Sequence, residues 1–205
     1  MTVFKPQIFF QGIFYPDGSL YGVEILTKGL VGSEPPGKSL DLFCLLTAAN
    51  SIVSLIPEEL RRSTKFHFNI YLENVSQIPF HQLLVVIPNA VLEIVEKGII
   101  DPFYLSYLRL IEGIPLALDD FGRGRANFDL LPYFQIVKLD RDVVDGKVLK
   151  PLIDVLKFQG KTVILEKALR EDSSFNADAY QGYEWHKPEP LENLREFLSR
   201  RRKGD

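Results

Sequence analysis

Residues 115–121 read Pro-Leu-Ala-Leu-Asp-Asp-Phe, a short apolar run that ends in two adjacent carboxylates. The run is too short for a helix and apolar nearly throughout, as expected of a strand covered on both faces. Outward from it, runs of the same composition recur at Gln7–Phe10, Gly22–Leu26, Lys65–Leu72, Ala90–Val95, Ile136–Asp140 and Thr162–Glu166. Pro16-Asp17-Gly18-Ser19 is a turn signal between the first two, which predicts a hairpin. Helical patterns fall between the later runs. They cover Ser39–Leu60, a stretch from Asp101-Pro102 to Ile111 with Asp as cap and Pro at the first helical position, Leu149–Phe158, and Leu191–Arg201. Strand–helix alternation predicts an α/β fold with a mostly parallel sheet. Seven or eight strands point to a barrel, although closure is not decided at this level.

The bulk numbers are compatible with one domain over residues 1–205. The chain has 205 residues, is 46% hydrophobic and 25% charged, and carries a net charge of −3. Such a balance draws in no long nucleic acid, and the basic run Arg200–Lys203 reads as a solvated tail over 200–205. Cys44 is the single cysteine, so no intrachain disulfide and no thiolate zinc site can form. No signal-peptide pattern and no membrane-length apolar run is present, so the expected location is the cytoplasm.

The informative residues are polar groups set within or at the end of apolar runs. Glu24 lies in Tyr-Gly-Val-Glu-Ile-Leu, Glu93 in Ala-Val-Leu-Glu-Ile-Val, Asp119 and Asp120 end the opening run, and Glu166 ends Thr-Val-Ile-Leu-Glu. Asn69 and Lys138 interrupt two others. Burying an ionised carboxylate without a partner is costly, so the repetition calls for a shared cause. In a parallel barrel the carboxyl ends of the strands converge on one face. Acids meeting there with an amide oxygen make a hard-oxygen cation site, with room for two ions. Taken singly, each acid reads better as a rim residue or a salt-bridge partner. His67, His81 and His186 show no metal spacing and read as structural or exposed.

The same residues carry a resemblance. Leu116-Ala-Leu-Asp-Asp-Phe-Gly-Arg-Gly leading to Ile136-Val-Lys-Leu-Asp-Arg141 resembles the core of the EAL family. Glu24-Ile-Leu26 stands where the signature Glu-Ala-Leu lies, Gln11 sits in a run like the family's opening strand, and Asn69 and Leu92-Glu93-x-x-Glu96 match two further motifs. Val163-Ile-Leu-Glu-Lys-Ala resembles a Val-Ala-Glu-Gly-Val-Glu strand, and Asp178-x-x-Gln-Gly-Tyr183 with Lys187-Pro-x-Pro190 resembles the family's ending. The likeness spans roughly residues 7–195. Asp-Phe-Gly alone also occurs in kinases, but no Gly-rich loop and no His-Arg-Asp loop precede it here.

This resemblance implies a TIM-like barrel with an antiparallel N-terminal hairpin strand, and an activity: hydrolysis of cyclic di-GMP to the linear dinucleotide with Mg²⁺ or Mn²⁺, Ca²⁺ being inhibitory. It implies that Glu24, Asn69, Glu93 and Asp119 hold one ion, and that Asp119, Asp120 and Glu166 surround a second. Lys138 would orient the attacking water beside Asp120 and Glu166. Gln11, Leu26, Lys28, Gln181 and Pro188 would contact substrate, and Glu96 would steady the loop after Asp119-Asp120.

Departures from the pattern point the other way. Lys28 replaces an arginine, Arg123 and Arg125 stand in the loop after Asp120, and Leu169 replaces the strand's second glutamate. Short connections late in the chain predict a trimmed outer helical shell and an apolar patch for a partner domain or a second copy. A silent member, acting as a cyclic di-GMP receptor or an interaction module, is the alternative expectation.

Overall fold

The computed structural model describes residues 6–28, 39–95, 103, 106–108, 114–122 and 128–202. Nine strands are seen among them: β1 (Gln7–Phe14), β2 (Leu20–Lys28), β3 (Phe66–Tyr71), β4 (Ala90–Val95), β5 (Leu116–Phe121), β6 (Ile136–Asp140), β7 (Thr162–Glu166), β8 (Ala179–Tyr180) and β9 (Glu189–Pro190). β2 to β8 pair in sequence order and all in parallel. β1 runs antiparallel to both β2 and β8 and closes an eight-stranded barrel, with β9 laid against its start. The expected hairpin forms, with Tyr15 N accepted by Ser19 O at 2.9 Å and Asp17 Oδ1 accepting from Ser19 N at 2.8 Å. Gly18 at φ 84° supplies the left-handed turn residue.

The helices are α1 (Ser39–Leu55), α2 (Glu58–Ser63), α3 (Phe80–Val86), α4 (Gly146–Phe158) and α5 (Leu194–Arg202). The expected helix over Ser39–Leu60 is divided, because Pro57 has no N–H to donate and starts α2 instead. α4 begins earlier than its apolar pattern, since the Asp145 side chain caps it by accepting from Lys147 N. Most of the stretch 101–111 lies outside the described residues; 103 and 106–108 are helical.

The trimmed shell is present where it was expected. A single 3-10 turn, Arg170–Phe175, joins β7 to β8, and another, Phe128–Tyr133, precedes β6. α4 leaves Val148, Val155 and Phe158 exposed on its outer side. No helix among the described residues is long and apolar enough to cross a membrane.

Strand residues alternate between two cores. Those facing outward, such as Val23, Phe68, Leu92, Leu118, Val137 and Leu165, are buried under the helices. Those facing inward make two layers inside the barrel. The lower layer is apolar, with Ile13, Tyr21, Val91, Ala117, Ile136, Ile164 and Ala179. Two residues further along β4 to β8, the side chains become polar, as they do three residues beyond Tyr21 on β2, where the register shifts, and two residues earlier on β1, which runs the opposite way.

Candidate active site

That upper layer is the site. Gln11 pairs with Glu24 across β1 and β2, Asn69 with Glu93 across β3 and β4, and Asp140 with Glu166 across β6 and β7. Glu24, Asn69, Glu93 and Lys138 sit inside their strands, as the apolar runs on either side of them indicated. The acids therefore form a floor within the barrel, one layer below the rim.

Asp119 and Asp120 are consecutive, so simple alternation would send one of them outward. The β5–β6 register shifts between Leu118 and Phe121, and Asp120 takes φ 55°. This bulge turns both carboxylates toward the interior. A left-handed backbone at a non-glycine residue is the kind of strain held at functional sites.

Lys138 is fully buried at the centre of the floor. Its Nζ lies 2.8 Å from Glu93 Oε2, 2.9 Å from Glu166 Oε1, 3.2 Å from Glu24 Oε2 and 3.5 Å from Asp119 Oδ1. Glu24 also accepts from Asn69 Nδ2 and from Gln181 Nε2. Gln181 Nε2 further donates to Gln11 Oε1 at 3.1 Å, and Gln11 Nε2 to the His186 carbonyl at 2.8 Å.

One ammonium cannot balance four carboxylates, and the acidities divide accordingly. Burial opposes ionisation of Glu24, but Lys138, Gln181 and Asn69 outweigh it and hold the group at about 2. Burial, reinforced by Asp119 and Glu24, pushes Glu166 up to about 8. Burial and the Glu24 charge raise Glu93 well above the carboxylate range, and burial raises Asp119 too. Burial works against the Lys138 charge, and the surrounding acids more than restore it.

The donor set fits divalent cations. Asp119 Oδ1 is buried with no hydrogen bond, and the excess of oxygen anions over local cations is what a hard metal ion relieves. Among the described residues no three acids or histidines are already spaced as an ion cage, because the Lys138 ammonium stands between them.

Above this floor opens a pocket of about 570 Å³. Of the sequence-predicted residues, Gln11, Glu24, Leu26, Asp120, Glu166 and Gln181 line it. Asn69, Glu93, Asp119 and Lys138 belong to the floor cluster beneath. Pro188, half-buried before β9, is not part of the lining. Glu96, Arg123, Arg125 and the Lys28 side chain lie outside the described residues.

Several residues escaped the sequence reading. His67, fully buried, places Nδ1 2.8 Å from Glu93 Oε1, and burial with the Lys138 charge lowers it to about 3, so the ring is neutral. The signal was available: His67 is two residues before Asn69 and so shares its face. Asp140, the last residue of β6, also lines the pocket, and so do Lys167, Leu169 and Tyr183, drawn in by loops that carry no periodicity.

No family profile matches the chain. A curated relative, the cyclic di-GMP phosphodiesterase PdeA of Borreliella burgdorferi, is 31% identical over 150 residues, covering 61% of this chain and 21% of that protein. The chain thus spans about a fifth of that relative's length. The crystal structure of the EAL domain of Mycobacterium smegmatis DcpA superposes with a TM-score of 0.76 at 18% identity, over 96% of this chain and 98% of that one. This chain has the fold of an EAL domain. The same EAL fold is shared with a standalone EAL protein of Vibrio cholerae O395 in its c-di-GMP-bound form, at a TM-score of 0.67 and 20% identity, over 94% and 95% of the two chains. It is shared also with the manganese and cyclic di-GMP complex of Klebsiella pneumoniae BlrP1, at 0.71 and 19%, over 89% and 56%.

Proposed function

We propose that this chain belongs to the EAL family and is a metal-dependent phosphodiesterase that opens cyclic di-GMP to the linear dinucleotide. The observation that carries the reading is the floor itself: Glu24, Glu93, Asp119 and Glu166 converge on one buried point where, among the described residues, Lys138 alone pairs with all four. The names of similar proteins agree with it, PdeA as a phosphodiesterase and BlrP1 as a cyclic di-GMP complex.

Glu24, Asn69, Glu93 and Asp119 would hold one divalent ion, and Asp119, Asp120 and Glu166 a second. Bound there, such ions acidify water and relieve charge on a phosphate. The protein's own side chains do the rest. Gln181 and Gln11 form a hydrogen-bonded pair that fixes Glu24. His67 fixes Glu93 from the opposite side. Lys138 holds Glu93 and Glu166 in reach of one another and keeps its own charge, ready to orient water or a phosphate oxygen. Leu26 and Leu169 provide apolar wall that excludes solvent from one flank of the pocket.

The test is direct. Purified chain with Mn²⁺ or Mg²⁺ should convert cyclic di-GMP to the linear dinucleotide, followed by chromatography. Intact substrate at saturating concentration, with the fold verified by circular dichroism, would end the proposal. A second reading, a receptor that binds without cutting, is favoured by the Lys138 ammonium standing among the acids and by Leu169 in place of a glutamate. Calorimetry with and without divalent ion separates the two, since binding without turnover selects the receptor.

A further inference from the structure

The pocket's described lining contains five acids, Glu24, Asp120, Asp140, Glu166 and Glu184, and a single cation, Lys167. A cyclic dinucleotide carries two phosphate charges, so among the described lining residues Lys167 is the one whose charge attracts it.

Lys167 has a second peculiarity. It follows β7 directly after Glu166 and adopts φ 51°, a left-handed conformation in which glycine is at ease and a lysine is not. The resembling strand carries glycine there. Here the chain keeps a long cationic side chain in a costly conformation at the rim of its site, and strain of this sort is retained where the side chain is needed. The ammonium is half-exposed and lies 2.7 Å from Asp140 Oδ2 and 3.5 Å from Asp142 Oδ2. Asp140, itself buried, also accepts from Asp142 N at 2.9 Å. Asp140 and Asp142 thus hold the ammonium of this pocket-lining residue.

We infer that Lys167 is a phosphate-binding residue of this site, contacting an oxygen of the substrate's non-scissile phosphate at the pocket rim. The inference rests on the phosphodiesterase reading above. A rim cation adds attraction on approach and in the bound state alike, so it acts on KM and on salt dependence and leaves the chemical step alone.

The experiment compares wild type, Lys167→Gly, Lys167→Met and Lys167→Arg in the full chain, measuring kcat and KM for cyclic di-GMP with Mn²⁺ at several salt concentrations. Dissociation constants in Ca²⁺ and melting temperatures accompany them. Lys167→Gly and Lys167→Met should raise KM and the dissociation constant about tenfold, with kcat within about twofold and a flatter salt dependence. Lys167→Arg should stay within about threefold of wild type. Lys167→Gly should melt no lower than wild type, because glycine removes the backbone strain.

Unchanged KM and dissociation constant in both neutral variants would overturn the inference. A lowered melting temperature of Lys167→Met with affinity unmoved would do the same, and would mark Lys167 as a structural latch for Asp140. Wild type that neither cleaves nor binds cyclic di-GMP would instead remove the phosphodiesterase reading, and this inference with it.

Discussion

Two layers lie inside one barrel, only two residues apart on the same strands, and they obey different rules. The lower one, with Ile13, Val91, Ala117, Ile136 and Ile164, is a packed apolar plug. In the upper one, Gln11, Glu24, Glu93, Lys138 and Glu166 are as buried or nearly so, yet each ends in a polar or charged group. The plug gains stability from dehydration and close packing. The floor forces carboxylates together against their mutual repulsion. One pleat therefore separates the part of the barrel that holds the fold from the part equipped for chemistry.

The sharpest break between the layers is expected at Glu24. Glu24→Ala should reduce kcat on the order of 10³-fold or more while circular dichroism still reports a folded barrel, and titration calorimetry should show loss of divalent-ion binding. Turnover near the wild-type level would dissolve the distinction drawn here. Ile164→Ala, one layer below Glu166, should show the inverse: a loss of about 2–4 kcal/mol in urea unfolding, with kcat at 20 °C within about threefold of wild type. An activity loss as large as that of Glu24→Ala would mean that the plug also shapes the chemistry.

The finest contrast is in pH. Glu166 sits at about 8 when folded and ordinarily near 4.5, so between those values the folded chain keeps a proton that the unfolded chain has released. The stability from this group is therefore complete below 4.5 and lost as pH rises to about 8. Unfolding of the chelator-treated chain from pH 5 to 8 should show stability falling, with Glu166 alone contributing up to about 1.4 kcal/mol per pH unit. Glu93 and Asp119 act in the same direction, while the lowered Glu24 contributes its loss only below about 4.5. Adding a divalent ion should flatten the slope. A flat profile without metal would show the floor to be far better solvated than its burial indicates.

Much of this was legible in the sequence because apolar runs and misplaced acids are strong local signals. The strands from β2 to β7 were visible, and so was the gathering of Glu24, Asn69, Glu93, Asp119 and Glu166. What failed was depth. Composition shows that an acid interrupts a strand, but only the register shows that it faces inward and how far below the rim it lies. β8 and β9 are two residues each and leave no periodic trace. α3 was missed because Phe80-His-Gln-Leu-Leu-Val-Val, a seven-residue span, has no capping side chain to announce it. The bulge at Asp120 is a tertiary outcome of β5 meeting β6, and no local propensity encodes it.

The position of Lys138 has a consequence for how the molecule is made. A ring of acids with nothing between them would push its own strands apart while the chain is still assembling. A tethered ammonium, delivered by β6 itself, offsets that repulsion from within, within 2.8–3.5 Å of every member of the ring. Under the metal-dependent reading proposed above, maturation would thereby be uncoupled from ion supply: the nascent barrel could close first and take up its ions afterwards.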